Sequence, residues 1–119
     1  MNRRKTGWER EEQAAAYLAG QGYEILARNY RCPSAELDIV AREREYLCFV
    51  EVKYRHSNRF GGIEGTISHE KIRRICKGAR FYLAEKSISP DTPVRFDVVF
   101  IVGETFSLLK NAFSYVGFS

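Results

Sequence analysis

Two short stretches, Glu36–Ala41 and Leu47–Arg55, alternate apolar with polar residues at a period of two, the signature of half-buried β-strands. In the first, Leu37, Ile39 and Ala41 alternate with Glu36, Asp38 and Val40; in the second, Cys48, Val50 and Val52 alternate with Phe49, Glu51 and Lys53. Each strand therefore has one apolar and one charged face. If Arg42–Tyr46 closes a hairpin with Arg42 opposite Leu47, then Val40 faces Phe49, Asp38 faces Glu51 and Glu36 faces Lys53, all on one side. A slip of one residue would turn apolar residues to the charged side, so the register is constrained.

Two opposed carboxylates repel, at about 0.2–1 kcal/mol where exposed and more as water is excluded. A divalent cation converts that cost into a ligand set. Mg²⁺ takes one or two carboxylates, keeps several waters and leaves positions for phosphate oxygens. Lys53, two residues along the strand from Glu51, is placed to orient or activate a water, or to neutralise charge in a transition state. The plain alternative is a solvated face with a Glu36–Lys53 cross-strand pair. Val40 and Phe49 on that same face argue against it, because both need cover.

The rest of the chain supplies that cover. Gly7 to about Gly20 reads as a helix with Trp8, Glu11, Ala14 or Ala15 and Leu18 on its packing stripe, and Gly20 and Gly22 as its stop. Glu11 is thus an edge residue of the stripe or a further site carboxylate, with Glu12 its neighbouring alternative. Tyr23–Arg31 alternates as a strand, and Pro33 helps set the bend that follows. After Arg55, a turn-rich segment beginning at His56 has the length of a lid or contact loop. Thr66 or Ser68 caps a second helix running to about Lys86, with Ile72, Ile75, Cys76, Ala79, Tyr82 and Leu83 inward and Lys71, Arg73, Arg74, Lys77 and Arg80 on its other faces. Val94–Val102 is apolar apart from Arg95 and Asp97, as a central strand covered on both faces would be, and Thr105–Lys110 returns as an edge strand. The expected architecture is one α/β domain over residues 1–119, ordered helix, strand, strand, strand, helix, strand, strand. It is a three-layer fold with a mixed sheet flanked by helices.

Several function classes find no support. Cys32, Cys48 and Cys76 are odd in number and widely spaced, against zinc or disulfide scaffolding. His56 and His69 lack ligand spacing, though His56 could touch a phosphate. No apolar run reaches the roughly 18 residues of a membrane span, and Met1–Thr6 leads into Trp and acids rather than a signal-peptide core. The expected setting is the cytoplasm, without membrane. There is no Gly-rich phosphate loop or Ser/His/Asp arrangement. A net charge of +4 suits a polyanionic partner, and the C-terminal aromatics suit core capping or a homodimer contact.

Asp38 followed by Glu51-Val-Lys53 resembles the PD-(D/E)XK nuclease superfamily, which includes restriction enzymes and Holliday junction resolvases. More of the chain is similar to the small bacterial YraN-like proteins: Glu11-x-x-Ala14, Gly22–Arg31, Glu36-Leu-Asp38, Phe49-Val-Glu-Val-Lys-x-Arg55, Phe60-Gly61, Lys71, Arg95-Phe-Asp-Val-Val99 and Asn111-Ala-Phe113. The resemblance implies a restriction-endonuclease-like fold and phosphodiester hydrolysis in DNA or RNA, structured or branched by analogy with the resolvases. Asp38 and Glu51 would hold Mg²⁺ or Mn²⁺, with the Val52 carbonyl as a further ligand. Lys53 would act on water, and Glu11 and Glu36 would complete the acidic shell. Lys71, Arg73, Arg74, Lys77 and Arg55 would contact nucleic acid. Two positions depart from the family pattern, Ala35 and Arg10, where relatives usually carry Gly; a left-handed backbone at 35 would strain Ala. The rivals are a nucleic-acid-binding module without turnover and a protein-interaction module on the same scaffold.

Overall fold

The computed structural model describes residues 7–55 and 67–116. Along the chain run α1 (Gly7–Gly20), β1 (Glu24–Cys32), β2 (Ala35–Glu43), β3 (Tyr46–Arg55), α2 (His69–Glu85), β4 (Val94–Val102) and β5 (Thr105–Phe113). The strands form one mixed sheet in the order β1-β2-β3-β4-β5, with β3 and β4 parallel and the other neighbours antiparallel. A parallel pair needs a crossover rather than a tight turn, and the segment joining β3 to β4 carries α2. The element order is the expected one, and β5 continues past Lys110 to Phe113. Met1–Thr6, the Trp8 side chain, the segment containing His56 and the alternative cap Thr66 lie outside the described residues.

The two helices cover opposite faces of the sheet. Ala14, Ala15 and Leu18 of α1 pack with Ile39, Ala41, Cys48, Val50, Val99 and Ile101. Ile75, Cys76, Ala79 and Tyr82 of α2 pack with Val40, Leu47, Phe49 and Phe96. Val40 and Phe49 are therefore covered, as their place beside the acids required. Phe49 is 1% exposed and meets the Tyr82 ring edge-on at 5.8 Å; burying such a side chain stabilises the fold by about 1.5–3 kcal/mol. α1 stops where Gly22, at φ 97, lets the Tyr23 N–H donate back to the Leu18 carbonyl at 3.0 Å. Cys48 and Cys76 are buried free thiols.

The β2–β3 hairpin has the expected register at its turn end, with Arg42 opposite Leu47 and Val40 opposite Phe49. Its last pair is Ile39 with Val50, so the expected pairs Asp38–Glu51 and Glu36–Lys53 do not form part of the ladder. The cause is a reversal of facing shared by β1 and β2, separate from the register shift between Ile25 and Ala27 in β1. Ala27 and Tyr30 both pack against the α2-side core, as do Leu37 and Val40, whereas Ile39 packs against the α1 side. Strict alternation forbids three-residue spacing on one face. The reversal occurs at Asn29, which is left-handed at φ 52, and at Asp38, between the pairs Arg28–Ile39 and Tyr30–Leu37. Leu37 therefore does not share a face with Ile39 and Ala41, correcting the reading from alternation. It lies against Gly78 of α2, where a Cβ would sit 2.9 Å from Leu37 Cδ2. Ala35 is not left-handed; the turn places Ser34 at φ 61 instead.

Candidate active site

Where β2 and β3 part, acids from three elements meet. Glu51 follows Phe49 on the α2-facing side of β3 and is 4% exposed. Lys53, two residues on, places Nζ 3.5 Å from Glu51 Oε2. Lys71 approaches the same oxygen at 3.5 Å from the first turn of α2. That turn is fixed by Ser68, whose Oγ accepts the Lys71 N–H at 3.1 Å. Both lysine side chains remain about a third exposed, at 31% and 33%, so the group opens to solvent on one side.

Asp38 lies in the parting itself. Its Oδ2 accepts the Val52 N–H at 2.9 Å, which ties β2 to β3 beyond the last ladder pair. The Asp38 carboxylate also interacts with Glu51 and with Glu11 of α1, through charge and side-chain hydrogen bonding with each. Burial, and then the charge of Asp38 and the hydrogen bond with it, push Glu51 up to about 7 against the pull of Lys71 and Lys53. Burial and Asp38 likewise raise Glu11 to about 7; a hydrogen bond with Asn29 works against the rise and the charge of Glu36 adds to it. The left-handed Asn29 thus serves both the strand reversal and the acid beside it.

The other expected residues take varied positions. Glu36 is exposed and pairs with Arg31 at 2.9 Å rather than with Lys53, while its charge still reaches Glu11. Arg55 is exposed at the end of β3, and its carbonyl accepts the Gly103 N–H at 3.0 Å. Of the α2 cations, Lys71 turns inward to Glu51, Arg74 lies 3.6 Å from Glu70, and Lys77 donates to Ser34 Oγ at 2.8 Å. Arg73 is exposed. Arg10, one of the two departures, stacks its guanidinium 3.4 Å from the centre of the Tyr54 ring.

Among the described residues no three His, Cys, Asp or Glu side chains gather as a ready metal-ligand set. An ion that demands a complete protein cage is poorly served by this. Mg²⁺ or Mn²⁺ is better served, because one or two carboxylates and retained water suffice, and the crowded Asp38–Glu51 pair gains most from a cation.

A second polar cluster was not read from the sequence as a unit. Asp97, fully buried on β4, accepts hydrogen bonds from the Tyr23 hydroxyl at 2.7 Å, Arg95 Nε at 2.9 Å and the Asn111 N–H at 2.9 Å. Arg95 also donates to Glu43 Oε1 at 2.6 Å, and Lys110 donates to Glu43 Oε2 at 2.6 Å. Burial raises Glu43, but the hydrogen bonds from Lys110 and Arg95 outweigh it and hold the carboxyl below its usual value. The available signal was Arg95 and Asp97 standing inside an otherwise apolar strand.

Residues 10–101 match the family described as uncharacterised protein family UPF0102. A UPF0102 protein of Lachnoclostridium phytofermentans is 50% identical over 117 residues, covering 98% of this chain and 99% of its own length. Another from Phocaeicola vulgatus is 49% identical over 98 residues, covering 82% of this chain and 79% of its own. A third, from Persephonella marina, is 41% identical over 107 residues, covering 90% of this chain and 91% of its own.

Proposed function

The chain belongs to the UPF0102 (YraN) family, and from the site geometry we propose that it is a metal-dependent nuclease with a restriction-endonuclease-like fold, hydrolysing phosphodiester bonds in DNA or RNA. The observation that carries this reading is the union of a repelling carboxylate pair, Asp38 and Glu51, with two ammonium groups 3.5 Å from Glu51. Repulsion within such a pair costs stability, so a purely structural role gives no account of setting the buried Glu51 beside Asp38. A dication beside the two lysines removes that cost and leaves positive charge to receive a polyanionic substrate.

In this mechanism Asp38 and Glu51 would hold Mg²⁺ or Mn²⁺, with the Val52 carbonyl as a further donor. When bound, the ion supplies charge stabilisation and a more acidic water. Lys53 positions the attacking water and counters charge building on the phosphate. Lys71 steadies a non-bridging phosphate oxygen from the α2 side. Glu11 and Glu36 complete the acidic shell, and Arg73, Arg74, Lys77 and Arg55 bind the polymer away from the scissile bond. The water oxygen bonds to phosphorus and gives up a proton to bulk water, the ester P–O bond breaks, and the departing oxygen takes a proton from bulk water. A branched or otherwise structured substrate is the analogy drawn from the resolvases.

The test is incubation of purified protein with linear and branched DNA and with RNA, in Mg²⁺ or Mn²⁺. Cutting is expected, and Asp38→Ala and Lys53→Ala are expected to abolish it while leaving the circular dichroism spectrum unchanged. Cutting that survives both substitutions excludes the mechanism. A second reading, a non-catalytic nucleic-acid-binding or protein-interaction module, draws on the same lysines: two ammonium groups already compensate Glu51. It predicts salt-sensitive binding or protein capture with no metal-dependent product.

A further inference from the structure

The outer face of α2 carries more than solvated charge. Phe81 is 39% exposed, and with Lys77, Arg80 and Ala84 it lines an open groove of about 610 Å³. Lys77 reaches across to Ser34 Oγ at 2.8 Å; that partner is neutral, so the bond fixes the ammonium without cancelling its charge. Lys71, Arg74, Lys77 and Phe81 follow at three- and four-residue spacing, which aligns them along the helix. The row starts at the lysine that touches Glu51 and ends at the groove. Ten residues of helix span roughly 15 Å, the reach of about four stacked nucleotides.

We infer that this groove is a subsite for an unpaired nucleotide: Phe81 stacks on its base while Lys77 and Arg80 flank the adjoining phosphates of a single strand leading from the acidic site. An exposed aromatic ring lining such a groove can reach a base face only where that base is outside a duplex. Duplex DNA would offer this face its phosphates and leave Phe81 without a partner. A protein partner fits less well, because the centres of such interfaces are depleted in lysine, whereas here Lys77 borders the ring. The inference deepens the proposed nuclease reading and rests on it for the identity of the polymer, but stacking does not require cutting.

The experiment is fluorescence anisotropy of a labelled single-stranded oligonucleotide and its blunt duplex, in EDTA, at several salt concentrations. Wild-type protein is expected to bind the single strand more tightly. Phe81→Ala should weaken single-strand binding by about 10-fold or more and leave duplex binding unchanged, and Phe81→Trp should restore it. Lys77→Ala should reduce the slope of log affinity against log salt for the single strand by about 0.7. Thermal melts confirm that each variant folds. Single-strand binding unaffected by Phe81→Ala, or single-strand and duplex binding weakened equally, overturns the subsite and leaves Phe81 to a protein contact. Cutting is assayed separately: binding through Phe81 without cutting supports the subsite and counts against the hydrolase reading alone.

Discussion

Two acids are buried in this sheet, and they are treated in opposite ways. Asp97 is enclosed by donors: a tyrosine hydroxyl, a guanidinium and a backbone N–H all lie within 3 Å. Glu51 has a second carboxylate beside it and lysines that stop at 3.5 Å. Burial is comparable, at 0% and 4%, so burial alone says nothing about role. What separates them is saturation. A saturated acid holds elements together, whereas an unsaturated one has capacity left for a ligand.

Removal of each acid should expose the contrast most strongly. Asp97→Ala leaves Arg95 without its buried partner and should cost about 3–5 kcal/mol in urea denaturation. Glu51→Gln relieves repulsion and should leave stability at pH 8 unchanged or raised. Equal losses from the two substitutions would erase the distinction.

The pH dependence should differ in sign. Glu51 holds its proton up to about 7 against an ordinary 4.5, so between those values the folded state binds more protons than the unfolded one. Its contribution is most favourable below about pH 4.5 and is lost as pH rises through 7, a decline of about 3 kcal/mol. Saturating Mg²⁺ or Mn²⁺, or Glu51→Gln, should flatten that decline in melts recorded across pH. Glu43 is held below its ordinary value, so its contribution is full above about pH 4.5 and is lost as pH falls through its folded pKa. The two clusters should thus weaken the fold on opposite sides of the pH scale.

Smaller changes sharpen the comparison further. Tyr23→Phe removes one donor from Asp97 and should cost about 1.5–3 kcal/mol, measured by chemical denaturation with the metal response unaltered. Ser68→Ala removes the cap that fixes the turn bearing Lys71. It should cost only about 1 kcal/mol, yet alter the Mg²⁺-induced shift in melting temperature, which Tyr23→Phe should not.

The hairpin was legible because alternation records burial: Val40 and Phe49 had to share a covered face, and they do. The reversal at Asn29 and Asp38 was not, because a left-handed backbone leaves no period behind and Asn tolerates it better than most residues without requiring it. The same limit misplaced Leu37 and paired Glu36 with Lys53 when Arg31 is its neighbour across β1. Lys71 entered through family resemblance, since charge alone gave it no direction. The Asp97 cluster joins residues 74 positions apart, a distance at which only the completed sheet brings Tyr23 to its partner.

A β-sheet usually insulates the layers packed on its two sides. Here the insulation is breached at Asp38, through which Glu11 of one helix communicates with Glu51 and so with Lys71 of the other. Whatever arrives at one side, a proton or an ion, alters the electrostatic balance on the other. The two helical layers, whose apolar clusters are separate among the described residues, are wired together through the Asp38 side chain.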